Sequence, residues 1–233
     1  SDPPRKLHST GSRGRLPGTE RAGPPYSGGI GTDTRSLFTG VVDDPTVTRT
    51  TADRPTPQLP DLDAGVSLVD VEDGATLAPL YALVLDRLLT GDRSGRALWV
   101  DPGRTARATA LAKLAPDPRV LERIDVARGF TPHQHHALVA AAARRASRET
   151  PLVVIPRVDA RYRGDDCPRG TAERALSGIA DRLERLATRL ECPVVVTRRV
   201  DDDLTAPMEG VAVTTMRVVD TRFGPQFRGE AFE

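Results

Sequence analysis

From Val66 onward the sequence alternates short β-branched or apolar runs with longer stretches whose apolar residues recur at helical spacing. This alternation admits few folds, because a run of four to nine residues followed by a helix-length segment builds βαβ units, and such units stack into a largely parallel sheet with helices on its faces. The strands are read at Val66–Val71, Ala97–Asp101, Ile124–Ala127, Leu152–Ile155, Val194–Thr197 and Val211–Val219. The helices are read at Leu77–Leu89, Thr105–Leu114, Pro132–Ser147 and Gly170–Leu190.

Two of the helices carry internal support for their placement. Thr131, Pro132 and Gln134 form a start signal in which Thr131 caps, proline takes the first helical position and Gln134 completes a capping box. In the last helix Ala172, Ala175, Leu176, Ile179, Leu183, Leu186 and Leu190 share one face, while Glu173, Arg174, Asp181, Arg182 and Arg185 fall largely on the other, as expected of a helix laid on a sheet.

Residues 1–63 read differently. They hold 9 of the 20 prolines with much Gly, Ser and Thr, a composition that cannot offset its ordering entropy, so this segment is expected to be a largely disordered tail before a core at 64–233. Its one apolar knot is Ser36–Val42, a segment able to dock on a domain or partner.

The longest apolar runs, Ala137–Ala143 and Leu80–Leu85, are far below the roughly 18–20 residues of a membrane helix, and the opening residues hold no apolar stretch of the secretory type. Cys167 and Cys192 make no disulfide framework, so a cytoplasmic location is expected. A net charge of +1 gives no global pull toward nucleic acid, which leaves local patches to carry any such contact.

Three stretches, in order and on the elements already placed, resemble the ATPase core of the RecA superfamily, specifically its archaeal RadA and eukaryotic recombinase branch. IDVARGFTPHQ (124–134) resembles the family segment ARAFNxxHQ, and ARYRGDDCPRGTAERAL (160–176) resembles A-x-Y/F-R-x-[DE]-x-x-G-R-G-x-L-x-x-R-Q. PVVVTRRV (193–200) is similar to a strand ending Val-Val-Thr-Asn-Gln-Val. The resemblance runs from about Gly65 to the C-terminus. It implies an α/β fold of the RecA-like, P-loop NTPase type: a central, mostly parallel sheet flanked by helices, with C-terminal antiparallel strands. The family's helical DNA-binding domain is not recognisable in residues 1–63, and its Phe-x-x-Ala polymerisation motif finds only Phe38-Thr39-Gly40-Val41.

Read against the same resemblance, the nucleotide site is degenerate. Where the family has Gly-Lys-Thr, this chain offers Gly74, Ala75 and Thr76, so the lysine that reaches the outer phosphates is absent; a second alignment, through Gly65, leaves the loop about three residues short. Asp70, Glu72 and Asp73 are expected to repel a triphosphate. In Trp99–Arg107 the glutamate that orients the attacking water is replaced by Gly103, the magnesium-holding aspartate at the end of the fourth strand is Pro156, and the γ-phosphate-sensing Asn-Gln pair is Arg198-Arg199. Catalysis that depends on positioning and charge neutralisation does not survive such losses, so a pseudo-ATPase without bound ATP or magnesium is expected.

DNA contacts in the family come from two loops. Arg169 matches the arginine of the first loop's Gly-Arg-Gly, with Arg157, Arg161 and Arg163 near it in sequence, and Arg161, Arg163 and Arg169 are the candidate contacts to single-stranded DNA; the alternative is that these arginines solvate a helix start and pair with Asp165, Asp166 and Glu173. The second loop, Val200 to Gly210, is short and carries Asp201, Asp202 and Asp203, read as a solvated acidic turn. His133, His135 and His136 do not share a helix face and lack an acidic or cysteine partner, so no metal site is expected there. The expected role is an inactive paralogue that meets a recombinase or another repair protein. The alternatives are a RecA-fold interaction module with no tie to DNA, and a divergent ATPase with a displaced phosphate loop, for which only Arg5-Lys6 and Gly11–Gly14 offer material.

Overall fold

The protein is described here by a computed structural model that covers residues 59–72, 75–222 and 224–229. The Ser36–Val42 knot, Phe38 and most of the segment read as a tail lie outside the described residues. Of that segment's last residues, Leu62 is buried and Leu59 packs beside it on the core.

Seven strands form one sheet in the order β3-β2-β4-β5-β1-β6-β7. They are β1 (Gly65–Asp70), β2 (Ala97–Asp101), β3 (Ile124–Arg128), β4 (Val153–Ile155), β5 (Pro193–Arg198), β6 (Ala212–Thr221) and β7 (Gly224–Gly229). All pairings are parallel except β6 with β7, so the expected fold class holds, with β7 alone running antiparallel. The helices are α1 (Ala78–Thr90), α2 (Ala108–Leu114), α3 (Pro132–Arg145), α4 (Arg169–Leu190) and α5 (Ala206–Val211), with a 3-10 turn at Pro118–Arg123 before β3.

Strand alternation splits the core in two. Val66, Leu68, Leu98, Val100, Val153, Ile155, Val194 and Val196 face α3, α4 and α5. Val69, Ala97, Trp99, Leu152, Val154 and Val195 face α1 and α2. Strands apolar on both faces are what a buried parallel sheet requires. Thr131 caps α3 as expected, its Oγ1 accepting from the Gln134 N–H at 3.2 Å, but Gln134 Oε1 accepts from the Phe130 N–H, one residue before the cap, instead of closing the capping box on Thr131. The C-terminal carbonyls of α4 accept from Arg93, whose Nη2 donates to Leu190 and Glu191. Glu191 closes that helix in the left-handed region, with φ 49°.

The helix after β1 covers one face, whereas the helix after its neighbour β5 covers the other. Chain reversals of this kind open a crevice at the carboxyl ends of the strands, where α/β sheets place their ligands.

Candidate functional site

At the carboxyl end of β1 the chain makes a tight turn into α1. Gly74 and Asp73 lie outside the described residues. Ala75 donates its N–H to the Glu72 carbonyl at 3.1 Å, and Thr76 Oγ1 accepts the N–H of Ala78 at 3.1 Å. The hydroxyl that the resemblance would place on magnesium is thus engaged in starting a helix.

Asp70 and Arg198 are direct cross-strand partners on β1 and β5, and their side chains meet: Nε of Arg198 lies 2.5 Å from Asp70 Oδ1. Nη1 of the same guanidinium lies 2.6 Å from Glu209 Oε1 and 3.0 Å from Asp201 Oδ1. Arg198 is only 1% exposed. Burial works against its charge, but the hydrogen bonds to Asp70 and Glu209 outweigh that and push its pKa up. One sequence reading changes here. Asp70 does not project an uncompensated charge at a triphosphate, because Arg198 neutralises it on the neighbouring strand. Arg198, at the first of the two positions where the resemblance places the γ-phosphate-sensing pair, is held inside the fold by Asp70, Asp201 and Glu209. The Arg199 N–H donates to Asp159 Oδ1 at 3.2 Å.

The loop after β2 is organised from within by Asp101, which is fully buried. Its Oδ1 accepts from the N–H groups of Gly103 (2.8 Å) and Thr105 (3.0 Å) and from Thr105 Oγ1 (2.8 Å), and its Oδ2 accepts from the Ala106 N–H (3.2 Å). Burial raises the carboxyl's pKa; the bonds from Thr105, Gly103 and Ala106 more than reverse this, so it stays below its usual value. Gly103, which the resemblance sets where the family has its glutamate, lies under Arg161: a Cβ there would stand 2.6 Å from Arg161 Nη2. Arg161 Nε in turn donates to the Pro102 carbonyl.

Pro156 follows β4 directly and is buried, so no carboxylate ends that strand. The next residue, Arg157, is held at φ 48° with its N–H donated to Thr197 Oγ1 at 2.7 Å. A non-glycine residue in this region stores about 1 kcal/mol or more of strain.

A family model described as Rad51 matches residues 82–219, more than half of the chain. The chain belongs to the Rad51 family. It is 30% identical over 147 residues to the "DNA repair protein RAD51 homolog" of Solanum lycopersicum, an overlap that takes in 59% of this chain and 41% of the relative. The chain therefore spans less than half the length of that protein. The seven-stranded order above is the RecA-superfamily core of this Rad51-family chain.

The three arginines considered for DNA are all engaged. Arg161 lies over Gly103. Arg163 bridges the two loops, with Nε 2.5 Å from Asp159 Oδ2 and a two-pronged contact to Asp202 at 2.8 and 3.0 Å. The Arg163 bonds pull the Asp202 pKa down to about 2, and the Asp202 bonds raise that of Arg163. Arg169 pairs with Glu173 at 2.8 Å in solvent, as the alternative reading had it for that residue. Asp201 and Asp202 each hold an arginine, which replaces the reading of a solvated turn for these two; Asp203 is exposed.

Of the three histidines, His135 is fully buried and His133 is exposed. The Tyr162 hydroxyl lies 3.1 Å from His135 Nδ1 and 3.3 Å from the Pro132 carbonyl oxygen. Burial pushes the His135 pKa down to about 4.

Sequence reasoning missed Arg104, Arg107 and Lys113 around the adjoining crevice, and had noted Arg157 only as a neighbour of the first DNA-facing loop. A cleft of about 710 Å³ opens between α1 and α2, lined by Thr76, Leu77, Tyr81, Arg104, Thr105, Arg107, Ala110, Lys113, Leu114 and Arg157. These residues follow β1, β2 and β4, so a strand order drawn from the sequence would have brought them to one rim.

Proposed function

We propose that this Rad51-family chain is a catalytically silent paralogue acting in recombinational DNA repair by binding another protein, with a recombinase of its own superfamily as the first candidate. The observation that carries this reading is that the side chains at the positions the resemblance assigns to nucleotide and cation are bonded within the fold or lack a binding group, although the cleft beside Ala75 and Thr76 stays open. Asp70 is locked to Arg198, Arg161 covers Gly103, Pro156 follows β4, and Thr76 Oγ1 accepts the Ala78 N–H. A triphosphate and its cation need side chains held free for them, and these positions are either spent or chemically blank.

A surface for the partner lies at the other end of the sheet. β3 is an edge strand, and a groove of about 320 Å³ runs beside it, lined by Leu98, Val100, Val126, Ala127, Leu138 and Ala142. An added strand would pair with the open edge and seat an apolar side chain in the groove. Direct binding of single-stranded DNA by Arg161, Arg163 and Arg169 has less support, since each is already bonded within the fold.

The test is ATP turnover with and without single-stranded DNA, expected at background, together with affinity purification of the tagged chain, expected to bring down recombination proteins. Turnover that an Arg199→Ala change abolishes would support a rewired ATPase instead. Partners from an unrelated process would favour a RecA-fold interaction module.

A further inference from the structure

We propose that the cleft between α1 and α2 is the docking site for an acidic segment of a partner protein, one in which carboxylates alternate with apolar side chains. The inference rests on the partner-binding role proposed above and names the chemistry of a second contact.

Four cationic side chains line the cleft: Arg104, Arg107, Lys113 and Arg157. No described carboxylate lines it, and none of the four has an ion-pair partner among the described residues. In a chain of 33 basic and 32 acidic residues, four unopposed cations in one concavity are a local excess that the net charge of +1 conceals. Arg104, Arg107 and Lys113 are exposed, and Arg157 is half-buried with its Nε shielded from solvent and without a hydrogen-bond partner.

The polar groups of the cleft floor are already used. Thr76 Oγ1 takes the Ala78 N–H, Thr105 Oγ1 donates to Asp101, and the Tyr81 hydroxyl donates to the Thr105 carbonyl at 2.5 Å. The Thr105 and Tyr81 hydroxyl protons are both committed inside the fold, which leaves the long cations as the main polar groups offered to a ligand. What is left is an apolar floor of Leu77, Tyr81, Ala110 and Leu114 beneath long flexible cations. Leu114 is 46% exposed at its rim. Spaced carboxylates with an apolar residue between them match this pattern, since each carboxylate gains a charge-assisted contact while the apolar side chain covers the floor.

The full chain is to be titrated with a fluorescein-labelled peptide of alternating Glu and Leu, followed by fluorescence anisotropy. The control is the same peptide with Lys for Glu, and the competitors are sodium pyrophosphate and ATP with magnesium. The expected result is saturable binding of the acidic peptide alone, weakening as salt rises, and at least tenfold weaker in the Arg107→Glu/Lys113→Glu double variant. Arg157→Gly supplies a variant that does not depend on a fold-damaging change: it relaxes the left-handed backbone, so the melting temperature holds or rises while peptide binding falls severalfold. No binding at low salt, equal binding of the Lys peptide, or affinity untouched by these variants would overturn the inference while leaving the proposed silence toward ATP intact. Displacement by pyrophosphate at lower concentration than the peptide itself would reassign the cleft to phosphate ligands. Magnesium-dependent displacement by ATP would count against the catalytically silent reading as well.

Discussion

Replacing Asp101 by asparagine tests how the loop at the would-be catalytic position is held. The native carboxylate accepts five hydrogen bonds, from the N–H groups of Gly103, Thr105 and Ala106, from Thr105 Oγ1 and from Arg128 Nε. An asparagine oxygen can keep the three that converge on Oδ1, but its NH2 group then faces two donors, the Ala106 N–H and Arg128 Nε, each at 3.2 Å in the native protein. Losing two charge-assisted bonds at the long end of the range, and burying opposed donors, costs about 3 kcal/mol. For a domain of this size that lowers the melting temperature by roughly 6–12 °C. Calorimetry gives the shift, and amide exchange locates it, because the Gly103 and Thr105 N–H groups stay protected while that of Ala106 loses protection. The pH dependence has a fixed sign: a carboxyl whose folded pKa is lowered adds stability above its unfolded value near 4 and loses it as pH falls further. That acid-side loss is smaller in the asparagine variant. A melting temperature within about 2 °C of the native protein, or parallel pH profiles, would refute the assignment of Asp101 as the organiser of this loop.

His135 also loses its contribution on acidification, but in a higher pH window. Its folded pKa is lowered to about 4, so its contribution is complete above about pH 6.5 and is lost as pH falls toward 4; the loss is about 3 kcal/mol at most, and unfolding curves of His135→Gln should be flat over that window. Glu191→Gly removes the Cβ penalty at φ 49° while leaving its carbonyl on Arg93, and is expected to stabilise by about 1 kcal/mol in chemical denaturation. Gly103→Glu restores the family's carboxylate at its own position, but the new side chain meets Arg161 and finds no metal carboxylate at Pro156; turnover is expected to stay at background. ATP hydrolysis from that single change would mean the remaining losses had been overestimated.

Where periodicity was long, the sequence was a sufficient guide. The apolar face of α4 extends over six turns, and Leu176, Ile179, Leu183 and Leu186 are all buried as their spacing requires. Among the strands covered on both faces, β4 and β5 declared themselves by runs of Val and Ile, and β1 and β2 by short mostly apolar runs. α5 gave no such signal: six residues with Pro207 and a single buried side chain, Met208, carry no period. β7 was equally silent, since Gly224, Pro225 and Gly229 read as turn residues and only Phe227 is buried. At the site, identity was legible and contact was not. Blank positions such as Gly103 and Pro156 could be read by register against the family motif. The pairing of Asp70 with Arg198 joins residues 128 apart, and it follows only when β1 is placed beside β5. Asp201 and Asp202 are chemically identical neighbours, yet one turns to Arg198 and the other to Arg163, a choice made by the geometry of the turn rather than by composition.

Calorimetric titration of the purified chain with ATP in the presence and absence of magnesium addresses the central claim most directly. With Asp70 locked to Arg198, no lysine at Ala75 and Pro156 in place of a carboxylate after β4, no saturable magnesium-dependent heat is expected at any concentration a working ATPase would need. A saturable, magnesium-dependent isotherm that Thr76→Ala abolishes would contradict the account.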